Sequence, residues 1–379
     1  MRNEAEQNIT DKKLSWRKYK LAAVFMSLLI TAALVSIYFT QEQKPDPASE
    51  RVLRQAAAVQ LKNQTHIDKD PNDLTDEDFA KITKLYVAGR ELSEIKLLEK
   101  CTNLSSLGLL YVRFPQDQIP KWMTVLAKFG LLSLKKRMVI DLSPLKKLSN
   151  LQSLTLPRTQ ILNLKPLKEL KGLQVLDVSS TAVSDLKPIK KLTNLQKLNL
   201  NETEISALEP LRELTNLTEL CLNDTQVSDL EPIKNLTKLE MLLLANTKVS
   251  DLEPIKGLIN LQALELHGTQ VIDLEPIKNM KNLQILQFES TRVSNLEPLK
   301  NMKDLQRLNF CSTRISNLEP IKGWTKLQEL YLDNTQVSDI EPIKGLISLQ
   351  VLYLRDCPNI TDQQIEDLKK ALPNLKVVR

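Results

Sequence analysis

The side chains that most often carry chemistry are few in this chain. His66 and His267 are its two histidines, and neither has a second His or a Cys at ligand or catalytic spacing. Residues 68–79, DKDPNDLTDEDF, place Asp68, Asp70 and Asn72 at the first, third and fifth positions of a calcium loop. Asp73 then stands where Gly must make the sharp turn, and Phe79 stands where a bidentate Glu would close the site. The stretch reads as the acidic start of a helix. Eight glycines leave little room for Gly-rich phosphate or dinucleotide loops. No nucleophile–base pair is visible, so the expectation is a chain that is not an enzyme and needs no cofactor.

Charge narrows the partners. The 52 Lys and Arg exceed the 46 Asp and Glu by six, and residues 1–20 hold half of that excess. The remainder is nearly balanced, with no basic stripe interleaved with aromatics, so a nucleic-acid partner has no support. Apolar residues make up 42% but aromatics only 4%, so the core must be aliphatic. That much apolar content excludes a disordered chain.

Residues 21–39, LAAVFMSLLITAALVSIYF, carry no charge. A helix of that length spans about 28 Å, close to the roughly 30 Å of a bilayer's hydrocarbon core. Basic residues precede the run and mixed charge comes after it. The positive-inside bias predicts a cytoplasmic tail over 1–20, one transmembrane helix over 21–39, and everything later across the membrane, periplasmic or at the cell surface. The competing reading is a cleaved signal peptide, which would leave a secreted protein. Its apolar region is usually shorter and ends at a small-residue cleavage site. Here Ala32 and Ala33 lie inside the run and no A-x-A comes after it.

Residues 40–73 read as a linker in which RVLRQAAAVQLKNQ could form a short helix. LTDEDFAK then puts Thr75 and Asp78 at capping-box spacing, which predicts an N-terminal cap over 74–81. From residue 82 onward the chain is a repeat. The first Leu of NLQSLTL recurs every 22 residues from Leu151 to Leu349. Backwards the series reaches Phe129, Leu104 and Ile82, and forwards Leu375. This predicts thirteen units over 82–374 and a closing strand over 375–379.

Each regular unit reads L-x-x-L-x-L-x-x-T-x-V-S-D-L-E-P-I-K-x-L-x-x. The alternating part is a short strand, and the later apolar positions, three apart, form one face of a tight 3₁₀-like return. Ten of the 18 prolines share one column, from Pro144 to Pro342, which suits the first turn of a short helix. A single unit cannot bury its apolar stripe, but stacked copies can. The pattern resembles the leucine-rich repeat family, in the 22-residue class of bacterial internalin-like proteins and eukaryotic phosphatase-regulating subunits. The resemblance covers residues 82–379, about four-fifths of the chain. It implies an α/β solenoid: a curved parallel sheet with short 3₁₀ or helical returns.

The family usually has Asn at the ninth position, bonding backbone groups inside the turn. Here Thr fills it from Thr159 to Thr335, and then Cys357. Cys221, Cys311 and Cys357 fall on units four and two strands apart, about 19 and 10 Å at strand spacing. A disulfide needs Cα atoms within about 7 Å. Cys101 and Trp324 take a column otherwise filled by residues such as Leu170 and Leu192, so both belong in the core. All four cysteines are expected to be free thiols. Residues 361–371 form a helix that closes the far end.

Two faces remain. On the convex side each Glu from Glu231 to Glu341 has Lys three residues later, which reads as self-paired surface charge rather than a ridge for acidic polymers. On the concave side the outward positions vary while the frame stays constant. Met241 and Leu243 share one strand, Ala263 and Ile285 lie on the next two, and Glu219, Glu265 and Glu289 border them. Tyr331 and Tyr353 share a column beside Asp333 and Arg355. Apolar anchors with a charged rim are the usual composition of protein contact sites, though cross-strand packing also explains the Tyr pair. The resemblance implies a protein partner on this face. The alternative is an envelope structural element that binds polysaccharide, for which more exposed aromatics would be expected.

Overall fold

The computed structural model describes residues 47–88, 92, 95–110 and 140–379. The run 21–39 lies outside them. Among the described residues no helix is long and apolar enough to cross a membrane.

Residues 47–379 form one compact unit built on a parallel sheet of thirteen strands in chain order. β1 (Lys84–Ala88) and β2 (Ser106–Leu110) precede β3 (Ser153–Thr155). From there one strand recurs every 22 residues to β12 (Val351–Tyr353), and β13 (Lys376–Val378) closes the series. The central leucines stand in register across the regular strands, as Leu154 on Leu176 on Leu198. They join a single buried core that runs from Leu53 to Leu375 and includes Cys101 and Trp324. The proline column opens 3₁₀ turns on the opposite side, such as Glu231–Ile233 and Glu253–Ile255. The Asp or Asn two residues before most of these turns accepts the turn's first N–H, as Asp229 does from Glu231 at 2.8 Å.

One expected rung is not in the sheet. β2 pairs directly with β3, and the N–H groups of Gln152 and Ser153 donate to the Ser105 carbonyl at 2.8 and 3.0 Å. A strand begun by Phe129 therefore does not stand between them. The turn Ser143–Lys147 stacks on the turn Lys96–Lys100 of the first rung, so it completes the rung that β2 opens. Residues 111–139, which include the unit expected to begin at Phe129, lie outside the described residues. The spaced leucines near Phe129 imitate a strand, but Arg137 occupies the ninth position, where the regular rungs carry Thr. Twelve strands and a closing strand are described, rather than thirteen and one.

The nine Thr side chains are buried, and each hydroxyl donates to the carbonyl three residues back, as Thr225 to Leu222 at 2.6 Å. The residue before each Thr is left-handed, from Arg158 (φ 53°) to Asn334 (φ 53°), with Gly268 (φ 64°) in one rung. A side chain at 268 would also run into the Asn246 amide, since a Cβ there would lie 2.4 Å from Asn246 Oδ1. The Thr bond closes this bend inside each rung. A different column adds side-chain links between rungs to the backbone bonds of the sheet. Asn194, Asn216, Asn260 and Asn282 each donate a side-chain N–H to a carbonyl of the preceding rung, at 2.8 to 3.0 Å.

The linker expected over 40–73 is structural from Pro47. Helix α1 (Pro47–Thr65) buries Leu53, Ala57 and Leu61 against the first rung. Gln64 accepts from the Thr83 N–H at 3.0 Å and donates to the Lys84 carbonyl at 2.8 Å, so it satisfies the open edge of β1. Helix α2 (Asp76–Lys81) carries the expected capping box of Thr75 and Asp78. Lys69 holds the buried Asp78 carboxylate at 2.7 Å, and this bond, with those from Thr75, keeps it well below the usual carboxylate range. Asp70 caps the turn Pro71–Asp73 through the Asn72 N–H at 2.8 Å. The carboxylates that suggested a calcium loop are thus spent on caps and lysines. At the far end α3 (Asp362–Ala371) is boxed by Thr361 and Gln364 and lays Ile365 and Leu368 over the last rungs.

Candidate partner-binding face

The strands that bear the concave face are β6 (Glu219–Cys221), β7 (Met241–Leu243), β8 (Ala263–Glu265), β9 (Ile285–Gln287), β10 (Arg307–Asn309) and β11 (Glu329–Tyr331). The middle residue of each strand points into the core and the two flanking ones point out, so the face is a set of columns. In one column Glu219, Met241, Ala263 and Ile285 are consecutive partners. In the next, Cys221, Leu243, Glu265 and Gln287 are.

The sequence puts Met241, Leu243 and Ile285 on one face, and the register separates them into columns. Leu243 and Ile285 are not in one line. Met241, Ala263 and Ile285 form the strip, and Leu243 stands beside it with Cys221 on one flank and Glu265 on the other. The result is an L-shaped apolar patch. Cys221 belongs to it, which a disulfide-minded reading of cysteines does not suggest. Ile285 is 36% exposed, one of the few large apolar residues in the described chain that remains open.

The acidic border is not uniform. Glu219 is engaged by Lys197 at 2.6 Å, and Glu265 accepts from the Asn223 amide at 3.1 Å. Glu289 lies deeper. His267 Nδ1 stands 3.3 Å from Glu289 Oε1, yet His267 Nδ1 and Glu289 Oε2 are the buried side-chain polar atoms that lack a hydrogen-bond partner among the described residues. Burial raises the Glu289 carboxyl above its ordinary value, with backbone bonding and His267 opposing it. The Cys221 thiol, also by burial first and then by Glu219, Asp177 and Glu265, is pushed up to about 11.

The second group is self-satisfied. Tyr331 and Tyr353 stack with ring centroids 4.4 Å apart and planes 9° from parallel. The Tyr331 hydroxyl donates to Glu329 at 2.7 Å, and Arg307 donates to the same carboxylate at 2.9 Å. Asp333 accepts the backbone N–H of Arg355 at 2.7 Å, so it braces the chain after β11 rather than facing a partner alone. Arg355 itself is exposed. Tyr86, which sequence reading missed, lies flat over Gly108 on the first rungs, where a Cβ would come within 2.5 Å of its ring. A polar trough of about 590 Å³ along the edge where the strands begin, lined by Glu240, Gln262, Gln284 and Gln306 among others, was also missed. Its signal is the polar residue before each strand.

On the convex side the expected pairs are present: Lys234 with Glu231, Lys256 with Glu253, Lys278 with Glu275, and Lys300 with Glu297. The four cysteines are free thiols.

The sequence pattern of the family described as Leucine Rich repeats (2 copies) matches residues 171–213, 215–257 and 303–345. No curated protein matches the chain. Among solved structures, an internalin (InlF) of Listeria monocytogenes is similar with TM-score 0.71 and 26% identity, over 89% of this chain and 98% of that one. A leucine-rich repeat protein of Leptospira interrogans, LIC12759, has TM-score 0.61 at 19% identity, over 89% of this chain and 100% of its own. A plant peptide hormone receptor, RGFR1, in complex with RGF2, has TM-score 0.57 at 18% identity, over 80% of this chain and 56% of its own. The last two likenesses concern the fold alone.

Proposed function

We propose that this protein is a membrane-anchored leucine-rich repeat scaffold, without catalytic activity, that binds a protein partner on its concave face. Residues 21–39 hold it in the membrane and residues 47–379 project on the extracytoplasmic side. The partner covers Met241, Leu243, Ala263 and Ile285, and reaches the Glu265, His267 and Glu289 group beside them.

One observation carries the reading. Three successive strands present apolar side chains outward in one column, and the two orphaned polar atoms lie two columns along the same strands, past Leu243, Glu265 and Gln287. Buried polar groups without a partner are rare in folded proteins, and an incoming donor would satisfy them. Apolar burial contributes roughly 25 cal/mol per Å² before the costs of association. The likeness to an internalin at 26% identity shows the same repeat frame, on which a continuous outward face is available to a partner.

The test is capture of a cell-surface protein by the immobilised 47–379 unit. Leu243→Asp should abolish capture, because that side chain points away from the core. Lys256→Glu on the convex side should change little. The reverse pattern would refute the concave site.

A further inference from the structure

The position before each convex proline divides the solenoid in two. From Glu209 to Glu341 it is always Glu, and most of these pair with the Lys three residues on. In the three rungs before Glu209 it is Ser143, Lys165 and Lys187. Residues 141–191 hold nine basic side chains against four acidic ones, close to the whole chain's excess of six. The turns Ser143–Lys147, Lys165–Leu167 and Lys187–Ile189 stack on one another. Lys146, Lys168 and Lys190 therefore recur once per rung on neighbouring turns, with Lys165, Lys187 and Lys191 beside them. All six are exposed. Lys168 approaches Glu169 at 3.6 Å, and the other five have no acidic partner among the described residues. A cleft of about 770 Å³ opens between the first two of these turns, with Lys146, Lys165 and Lys168 on its walls.

Like charges on neighbouring turns repel one another. The later rungs show that the same frame accepts Glu at the relieving position. An anionic surface applied from outside would relieve the repulsion in the early rungs as well. We propose that this lysine face lies on an anionic lipid bilayer and sets how the solenoid stands on the membrane. The choice of a bilayer over a soluble polyanion comes from chain order. The basic turns belong to the rungs nearest α1, four strand spacings or about 19 Å along the sheet from β1 to β5 (Lys197–Asn199). Residues 40–46, between the apolar run and α1, reach at most about 24 Å. A polymer could dock at either end of the solenoid, whereas a bilayer serves only the tethered end. The proposal rests on residues 21–39 being an anchor.

The test uses residues 47–379, a compact unit with its core capped at both ends, so that the apolar run cannot supply the binding. The probe is sedimentation with vesicles of phosphatidylcholine containing about a third phosphatidylglycerol, at low salt. Each surface lysine is worth about 5-fold in such binding. The combined Lys165→Glu, Lys168→Glu, Lys187→Glu, Lys190→Glu variant should bind at least 100-fold more weakly. Lys→Gln exchanges at the same four positions should fall between, and they guard against misfolding by the reversed charges. Lys256→Glu should bind as the parent does. Binding to phosphatidylcholine alone should be absent. Equal binding by parent and lysine variants would overturn the proposal. So would binding to soluble polyphosphate without binding to vesicles, which would assign the face to a polymer. A failure here leaves the anchor itself to be judged by protease protection of the full chain.

Discussion

His267 Nδ1 stands 3.3 Å from Glu289 Oε1, one rung apart on the concave face, and neither side chain's buried polar atoms are fully satisfied. The pair is a locally unfavourable arrangement held by a rigid frame.

The cost of Glu289 has a sign that can be measured. Burial raises its carboxyl in the folded state, so the folded chain holds this proton at a pH where the unfolded chain has released it. Stability from this group is therefore greatest at low pH and falls as pH rises through the range just above the ordinary carboxylate value. Glu289→Gln should remove that slope and be no less stable than the parent at pH 7 in urea unfolding. A loss of stability at pH 7 would mean the carboxylate is satisfied after all.

Asp78 has the opposite sign. Its bonds to Lys69 and Thr75 hold it below the usual range, so its stabilisation is complete above the unfolded value of 3.8. That contribution disappears as pH falls through the lower folded value. Thr75→Ala removes the hydroxyl of the same capping box and should cost about 1 kcal/mol. The check is urea unfolding of the 47–379 unit, with hydrogen exchange expected to rise first in α1 and α2.

The ninth-position Thr gives a second stability test. Thr225→Val keeps the shape but leaves the Leu222 carbonyl without its 2.6 Å donor, at a cost of about 1 kcal/mol. The same exchange at Thr203 should cost the same, because each bond closes within its own rung. Two such exchanges several rungs apart should add.

Period and strand direction were legible because every rung repeats the same physical demand. Thr75 to Asp78 and Thr361 to Gln364 were readable for the same reason, since a cap has a local pattern. Phe129 misled because Leu132 and Leu134 succeed it at strand spacing, while membership of the sheet is decided by which edge β3 takes. The helix read over 51–64 is present within Pro47–Thr65, but its place in the core was not legible, because the segment reads as a linker and its packing of Leu53, Ala57 and Leu61 on the first rung needs tertiary contacts. On the concave side, the columns came from spacing alone. The separation of Leu243 from Ile285 needed register, and the orphaned atoms of His267 and Glu289 needed coordinates.

Thiol reactivity is set by burial. Cys221 and Cys311 are pushed up to about 11 and about 12, each by burial first, so little thiolate exists at neutral pH. Native alkylation at pH 7.5 should be slow at all four cysteines, and denaturing alkylation without reductant should label all four. Fast native labelling of Cys221 would mean that the concave face opens.

The two concave groups should separate under mutation. Tyr331 is already committed three ways: its ring to Tyr353, its hydroxyl to Glu329, and through that carboxylate to Arg307. An aromatic pair of this kind is worth about 0.5–1.5 kcal/mol beyond its buried area. Tyr353→Ala should therefore lower stability by about that amount or more. Glu329 is held below its ordinary value by Arg307 first and by the Tyr331 hydroxyl second, so Tyr331→Phe should raise it only in part. Ile285→Asp should do the reverse, because a 36% exposed side chain contributes little to the fold and much to a covered surface. Its melting temperature should stay near the parent's while partner capture is lost. Measuring both quantities for both variants distinguishes the groups. If Tyr353→Ala abolishes capture at unchanged stability and Ile285→Asp does not, the binding site lies at the C-terminal strands and the central patch is packing.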